Sequence, residues 1–227
     1  MIVTRRWVTA DRTWFAVAGL DDTLASAAER MGYRPRDGWW CRQYPSNAPH
    51  LESAWHTFTE QAERMLRQGA RREPVPWRPA LRLLCQRTAD SGVDWWLTGS
   101  AALAVRGVRV EPGDLDLVCA VADVHRLGDL LADVLIDPVA PPLNEDSGWI
   151  SAWWGRAFAE ARIEWVAGVR SGADRPEPSD FGPVAATRLE SVDWEDWRIR
   201  VPPLAMQREV SRRRGLSARV AAIDAVR

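Results

Sequence analysis

Two aspartates separated by one residue are the part of this sequence best suited to metal chemistry. Asp114 and Asp116 lie in the run Asp-Leu-Asp-Leu-Val, which is typical of a strand. Because strand side chains alternate, the two carboxylates share one face, while Leu115 and Leu117 take the other. Neighbouring carboxylates repel each other unless a cation lies between them. Since Mg²⁺ prefers oxygen ligands of this kind, the pattern predicts a divalent metal site.

A glycine-serine turn precedes these aspartates. Residues 94–98 form a short apolar run that favours a buried strand, and Gly99 and Ser100 end it. Ser100 is a suitable N-cap for a short helix over residues 101–106. Gly99 allows the backbone to approach a ligand closely, and the start of a helix favours an anion such as a phosphate. The turn is therefore predicted to contact phosphate.

In combination, these motifs identify a family resemblance. A Gly-Ser pair opens a helix, and thirteen residues separate Ser100 from Asp114 in the Asp-x-Asp strand. This arrangement resembles the nucleotidyltransferase superfamily, which includes polymerase β and the antibiotic and abortive-infection-toxin nucleotidyltransferases. The resemblance covers the chain from Trp77 onwards. It implies that Gly99 and Ser100 hold the triphosphate of an NTP and that Asp114 and Asp116 bind Mg²⁺, with two ions in the site.

The resemblance also implies a third carboxylate on a later strand, and Glu164 matches it best. Within ARIEWV, residues 161–166, Ile163 and Trp165 take one face of a predicted strand and Arg162 and Glu164 take the other. The family more often has aspartate at this position. The alternative is a charge on the exposed side of a strand, and for Glu164 alone that interpretation stands beside the catalytic one.

The cations available to a phosphate are all arginines. Lysine is absent from the sequence, which excludes the Walker lysine, the protein-kinase strand lysine and Schiff-base chemistry. Arg156 lies on the preceding predicted strand and is a candidate phosphate ligand, with a surface ion pair as the alternative. Arg212, Arg213 and Arg214 form a basic cluster near the C-terminus, where the family commonly supplies a basic residue. The alternative there is a solvated face.

Bulk properties define the class of protein. The chain has 227 residues, is 46% hydrophobic and 27% charged, and carries a net charge of -1, which is typical of a globular protein and argues against general attraction to nucleic acid. Its first residues lack the apolar segment of a signal peptide, so we expect a cytoplasmic protein that does not enter membranes. Three separated cysteines predict reduced, buried thiols rather than disulfides or a zinc site.

The predicted fold is α+β, with a nucleotidyltransferase-like mixed sheet flanked by helices and a small N-terminal α+β appendage. We place the boundary in a proline-rich linker, which separates an aromatic-rich unit over residues 1–75 from a domain over residues 76–227 that ends in helices. Further strands are predicted at 13–17, 39–41, 149–158 and 197–201, helices at 22–31, 51–68, 79–91, 123–135 and 203–226 with a break at Gly215, and loops at 138–148 and 171–180.

Three functions fit these expectations. The first is Mg²⁺-dependent transfer of a nucleoside monophosphate from an NTP, such as ATP, to an acceptor hydroxyl, and the near-neutral charge slightly favours a small acceptor. The second is a toxin-type nucleotidyltransferase acting on tRNA or protein. The third is a nucleotide-binding or regulatory protein without turnover, whose tryptophan-rich N-terminal unit suits a protein partner. No GxGxxG motif or metal-spaced histidine pair supports redox or zinc chemistry.

Overall fold

The fold is α+β, as predicted from the sequence. A computed structural model describes residues 2–142, 150–170, 172 and 178–226. The strands in these residues are β1 (Val3–Val8), β2 (Arg12–Ala18), β3 (Arg34–Arg36), β4 (Trp39–Pro45), β5 (Trp95–Thr98), β6 (Leu115–Cys119), β7 (Leu135–Ala140), β8 (Trp153–Ala159), β9 (Ala161–Ala167), β10 (Glu190–Trp194) and β11 (Trp197–Val201). The α-helices are α1 (Asp22–Arg30), α2 (Leu51–Gly69), α3 (Trp77–Thr88), α4 (Gly99–Val105), α5 (Val124–Leu130), α6 (Pro183–Ala186), α7 (Leu204–Arg213) and α8 (Ser217–Asp224).

The N-terminal part is an antiparallel sheet with the strand order β1-β2-β4-β3. Helix α1 begins after Asp21, whose carboxylate accepts hydrogen bonds from the amides of Thr23 and Leu24, as expected of an N-cap. Phe15 of β2 packs edge-on against Tyr44 of β4 and also contacts Phe58 of α2. The aromatic residues of this unit therefore pack together beneath α2.

The second sheet is mixed, with the strand order β5-β6-β9-β8-β7. Strands β6 and β9 are parallel neighbours, while the other pairs are antiparallel. Helix α2 packs on β7, and α3 packs on β6, β8 and β9. One continuous hydrophobic core includes side chains from both sheets, among them Phe58 of α2, Leu81 of α3 and Trp165 of β9. The predicted division at residue 75 stays a prediction.

Most predicted elements are present, but several bounds were wrong. The apolar stripe predicted for one helix over residues 123–135 is divided in the structure, because α5 ends at Leu130 and Leu135 begins β7. Residues 138–140, predicted as loop, lie in that strand, while 143–149 and most of 171–177 lie outside the described residues. Strands β1, β3 and β10 were not predicted, since their polar and arginine-rich sequences lack a clear apolar alternation. Among the described helices, none has the length and apolarity to cross a bilayer.

Candidate active site

A row of polar residues crosses the mixed sheet from edge to edge. Thr98 is the register partner of Asp116, Asp116 of Glu164, Glu164 of Arg156, and Arg156 of Asp137. Directly opposed residues on neighbouring strands have side chains on the same face. The sheet therefore presents three acids, an arginine and a hydroxyl in one line, with Asp116 and Glu164 near its centre.

The three predicted acids form one cluster. Carboxylate oxygens of Asp114, Asp116 and Glu164 all lie within 4.8 Å of one another. Asp114 lies just before β6, Asp116 is the second residue of that strand, and the parallel pairing of β6 with β9 brings in Glu164. Oxygen-only ligands at this spacing fit a hard cation such as Mg²⁺.

Gly99 gives the Asp116 carboxylate its place against the backbone. Its φ is +65°, and a Cβ atom at this position would lie 2.3 Å from Oδ2 of Asp116. Only glycine provides both the left-handed conformation and the space. The carbonyl oxygen of Gly99 also accepts a 3.1 Å hydrogen bond from Nε2 of Gln207 in α7, which fixes the turn from the other side.

Two arginines, buried Arg156 and partly buried Arg162, contact the acidic cluster. Arg156 donates from Nε to Oε1 of Glu164, lies 2.9 Å from Oδ2 of Asp137 through Nη1, and is 2% exposed. Arg162 donates to Oδ2 of Asp114, and its Nε lies 3.4 Å from Oε1 of Glu164. Asp114 and Glu164 are thus partly neutralised by the protein itself. Among the described residues, none donates a hydrogen bond to the carboxylate of Asp116.

Glu164 contacts arginines and Asp116 does not, so the pKa values of these two carboxyl groups shift in opposite directions. Burial, together with repulsion from Asp114 and Glu164, raises the pKa of Asp116 well above its usual range. Burial would also raise the pKa of Glu164, but Arg156, Arg162 and Arg42 outweigh it and lower that pKa to about 2. Asp116 is therefore the member of the cluster that most lacks a positive charge, as an incomplete cation site requires.

A cavity of about 250 Å³ lies over this end of the row. Its lining includes Thr98, Gly99, Asp116, Glu164 and Arg214. The hydroxyl of Thr98 donates to the carbonyl oxygen of Asp180 at 2.7 Å, which fixes the segment that forms another wall.

Two arginines from the C-terminal part of the chain lie near this cavity: Arg214, which follows α7, and Arg219 of α8. Arg214 lines the cavity, and in the described part of the chain neither it nor Arg219 has an ion pair. Burial and the nearby Arg214 lower the pKa of Arg219, while Asp180, Asp116 and Asp114 oppose that shift. Sequence reasoning flagged the cluster around Arg214 but missed Arg219, whose approach depends on how α8 packs.

A second cavity, of about 240 Å³, lies on the other side of Glu164 and Trp154, which line both. Its remaining walls come mainly from the N-terminal unit and include Arg30, Arg42 and Tyr44. The guanidinium carbon of Arg42 lies 3.6 Å from the centre of the Trp154 ring. The N-terminal unit therefore closes one side of the candidate site.

The N-terminal unit is also joined to the polar row by buried hydrogen bonds. The hydroxyl of Tyr44 donates to Oδ1 of Asp137, and Nη2 of Arg156 donates to the carbonyl oxygen of Met31 at 2.9 Å. Asp137 is fully buried, so it depends on Tyr44 and Arg156 for compensation. The row is thus fixed at both ends, by the bond of Thr98 to Asp180 and by the bond of Tyr44 to Asp137.

The structure brings together most of the predicted site residues but places Ser100 away from the cavity. Asp114, Asp116, Glu164 and Gly99 meet as expected. Ser100 was predicted as the N-cap of α4, but the helix begins two residues earlier than predicted, at Gly99, and its N-cap is Thr98. Ser100 is buried in the first turn and does not line the cavity. The surface alternative for Arg156 was wrong because this residue is buried, and its predicted contact with phosphate stays a prediction.

Comparisons with known proteins found similarity to solved structures. No protein-family model matches the chain, and no curated protein matches its sequence. Among solved structures, the chain is similar to a Thermotoga maritima protein provisionally named a nucleotidyltransferase, with a TM-score of 0.48 and 18% identity over 64% of this chain and 88% of the other.

Proposed function

We propose that this protein transfers a nucleoside monophosphate from an NTP to an acceptor hydroxyl and releases pyrophosphate, in a reaction that depends on Mg²⁺. The observation that supports this most strongly is the cluster of Asp114, Asp116 and Glu164, whose ligand atoms lie within 4.8 Å of one another beside a cavity bounded by Gly99. Three partly buried acids at such spacing favour bound cations, and cations beside a phosphate-sized cavity suit a nucleotide.

The three acids would hold the Mg²⁺ ions, of which the family resemblance implies two. Mg²⁺ bound here supplies neutralisation of phosphate charge and a fixed orientation for the reacting groups. Asp116 is the ligand with most to gain from the cation because, among the described residues, no guanidinium lies within ion-pair distance of it and repulsion from Asp114 and Glu164 raises its pKa. Asp114 and Glu164 would exchange part of their contact with Arg162 and Arg156 for the ion.

The reaction forms one bond and breaks another at the α-phosphorus. The acceptor oxygen bonds to this phosphorus, and the bond from the phosphorus to the oxygen bridging to the β-phosphate breaks, so pyrophosphate leaves. The hydroxyl proton passes to solvent water. Glu164, with a pKa of about 2, accepts a proton weakly, so we assign it the role of ligand and positioning group rather than general base.

The nucleotide is assigned to the cavity over Thr98, Gly99 and Asp116. Arg214 and Arg219 lack ion pairs in the described structure and lie near this cavity's acids, so they are suited to the triphosphate. Ser100 has a smaller part in this proposal than the resemblance implied, since it does not line the cavity.

The acceptor is assigned to the second cavity, which shares Glu164 and Trp154 with the first. Its volume of about 240 Å³ supports a small hydroxylated molecule. A tRNA or protein acceptor is the enzymatic alternative, and the predicted cytoplasmic location would give access to all three. A steep salt dependence of RNA binding at the site would favour tRNA, because phosphate contacts release counterions.

The direct test is to incubate the protein with each labelled NTP, Mg²⁺ and a metabolite extract, and to search for a product heavier by one nucleoside monophosphate. A second incubation replaces the extract with small RNA. We expect one NTP and one acceptor pool to give a product with wild type and none with Asp116→Ala. A product formed equally by both proteins would contradict the assignment.

A second candidate is a nucleotide-binding protein without turnover. The observation that favours it is that Arg162 and Arg156 already contact Asp114 and Glu164, so two of the three acids have protein cations. Calorimetry distinguishes the two candidates. Heat of NTP binding with no product in any acceptor pool would favour the second candidate over the first.

A further inference from the structure

The N-terminal sheet has an outer face built from arginine and tryptophan. We define this outer face by the side chains of Arg5 and Trp7 on β1, Arg12 and Trp14 on β2, Arg36 on β3 and Trp39 on β4. Register pairing places them together, since Trp7 opposes Trp14 and Arg36 opposes Trp39. The helices lie on the inner face, where Arg6 of β1 ion-pairs with Glu52 of α2. The outer face is thus the side of the sheet turned away from α2.

Its side chains form an interleaved layer. The rings of Trp7 and Trp14 are nearly parallel, 6.1 Å apart between centroids and inclined by 16°. The guanidinium carbon of Arg36 lies 4.5 Å from the centre of the Trp14 ring, and that of Arg5 lies 5.8 Å from Trp7 and 5.7 Å from Trp39. The three tryptophans are only partly buried, and Arg5 and Arg36 are exposed. Flat aromatic surface and positive charge therefore reach solvent together.

Strands β1 to β4 contain no acidic residue that could offset the arginines of the outer face. The acids nearest to its arginines come from turns: Asp11 lies 3.8 Å from Arg12, and Asp37 lies 3.6 Å from Arg36. Both aspartates are mostly exposed, at 74% and 90%, so these pairs are weak. Arg5 has no ion pair within the described structure. The face is therefore locally positive although the whole chain has a net charge of -1.

We propose that the outer face binds single-stranded nucleic acid, with bases stacking on Trp7 and Trp14 and phosphates meeting Arg5, Arg12 and Arg36. Unpaired bases offer the aromatic faces that exposed rings bind, while bases in a duplex are already stacked on one another. An acidic peptide would satisfy the charge but supply no rings. The proposal is independent of the proposed function, since it concerns neither the metal cluster nor the nucleotide cavity.

The test is a titration of the protein with labelled oligo(U) and oligo(dT) of about 12 nucleotides, a length within the usual range of such sites. No NTP or Mg²⁺ is added. We expect binding at low salt that weakens with a log-log slope of about -2, which corresponds to three phosphate contacts on a single strand. The two oligomers together show whether the 2′-hydroxyl matters, and a duplex of the same length should bind more weakly.

Variants separate stacking from charge. Trp14→Ala should weaken binding by about 5- to 100-fold, and Trp14→Phe should retain most of it. Arg36→Gln should reduce the salt slope by about 0.7, while Arg36→Lys should leave the slope unchanged. Matched controls are Trp197→Ala and Arg198→Gln on β11, which carry the same residue types on another part of the surface. Circular dichroism confirms that each variant is folded.

Three outcomes would overturn the proposal. One is the absence of oligomer binding to the folded wild type at low salt. Another is equal affinity of the Trp14 and Trp197 variants. The third is displacement of the oligomer by poly-glutamate at the same concentration of charge, because that result would indicate a face that attracts any polyanion or an acidic protein partner.

Discussion

Asp116 of β6 and Glu164 of β9 are register partners on neighbouring parallel strands, yet their carboxyl groups have pKa values displaced in opposite directions. The difference follows from their neighbours. Glu164 contacts Arg156, whereas Asp116 lies against the backbone of Gly99 and beside two other acids. Without a metal ion, the cluster therefore lacks a cation at Asp116.

Replacing Asp116 by Asn should stabilise the metal-free protein, increasingly so as the pH rises. The pKa of Asp116 is raised in the folded state, so folding favours its proton, and wild-type stability falls as pH increases from the unfolded pKa through the folded one. Urea unfolding with EDTA at several pH values measures this. Asp193→Asn, on exposed β10, is the control and should show no such trend. A constant difference between wild type and Asp116→Asn at all pH values would contradict the assigned shift.

Replacing Glu164 by Gln should destabilise the protein by about 3 kcal/mol, because buried Arg156 would lose one of its two carboxylate partners and keep only Asp137 among the described residues. The pKa of Glu164 is lowered to about 2 from 4.5, so its contribution is present above pH 4.5 and is lost as the pH falls towards 2. Denaturant unfolding across that range should therefore show the difference between wild type and variant shrinking in acid. A difference that grows in acid would be incompatible with the ion pair described.

Replacing Arg162 by Gln should increase the affinity for Mg²⁺ while lowering the stability of the metal-free protein. The guanidinium of Arg162 contacts Asp114 and Glu164, so it neutralises the cluster and competes with a bound cation. Thermal unfolding with EDTA and with Mg²⁺ measures both effects, since a ligand of the folded state raises Tm. Arg82→Gln, which removes an exposed pair with Glu195, is the control. If Mg²⁺ stabilises wild type and Arg162→Gln equally, Arg162 does not compete with the cation.

Replacing Gly99 by Ala should damage the cluster, while Gly107→Ala should not. Both glycines have positive φ, +65° and +82°, so each substitution costs about 1 kcal/mol or more in backbone strain. Only at Gly99 does the new Cβ meet Asp116, since nothing lies within 4 Å of the Cβ position at Gly107. Because both variants carry similar backbone strain, calorimetry of Mg²⁺ binding isolates the effect of the new Cβ atom on Asp116. Equal Mg²⁺ affinity in both would show that Gly99 does not position Asp116.

Replacing Tyr44 by Phe should destabilise the protein by about 1 to 3 kcal/mol, because buried Asp137 would lose a hydrogen-bond donor. The effect reports on the junction between the N-terminal sheet and the polar row. Tyr33→Phe is a matched control, as its buried hydroxyl has no hydrogen-bond partner in the structure. Urea unfolding should therefore give a larger loss for the first variant than for the second, and the reverse order would contradict the described contact.

The sequence alone predicted the acids of the cluster but not the contacts that the nearby arginines make. Alternation along a single strand is a local property, so it placed Asp116 on the face opposite Leu115 and Leu117 and placed Glu164 on the face opposite Ile163 and Trp165. The proximity of Asp116 and Glu164 was expected from the family resemblance, and it follows from the parallel pairing of β6 and β9. Arg156 meets Asp137 and the carbonyl of Met31 through strand order and domain packing, which no local pattern encodes. The same is true of Arg219.

Sequence rules for helix caps and for strands also failed, at the start of α4 and at β1. Ser100 is a good N-cap by type, but the helix begins at Gly99, and Thr98 is the capping residue although its hydroxyl bonds to Asp180 instead. The arginine-rich strand β1 was missed because its outer side chains are polar or aromatic rather than regularly apolar. Tertiary contacts decided both cases.

The most direct measurement is the rate of pyrophosphate release from a mixture of the four NTPs and the acceptor pool, with Mg²⁺ or EDTA, for wild type and Asp116→Ala. We predict release by wild type with Mg²⁺, loss of release in EDTA, and no release above background by the variant. Release that continues in EDTA, or that Asp116→Ala retains in full, would contradict the proposal that these acids carry a metal-dependent nucleotidyl transfer.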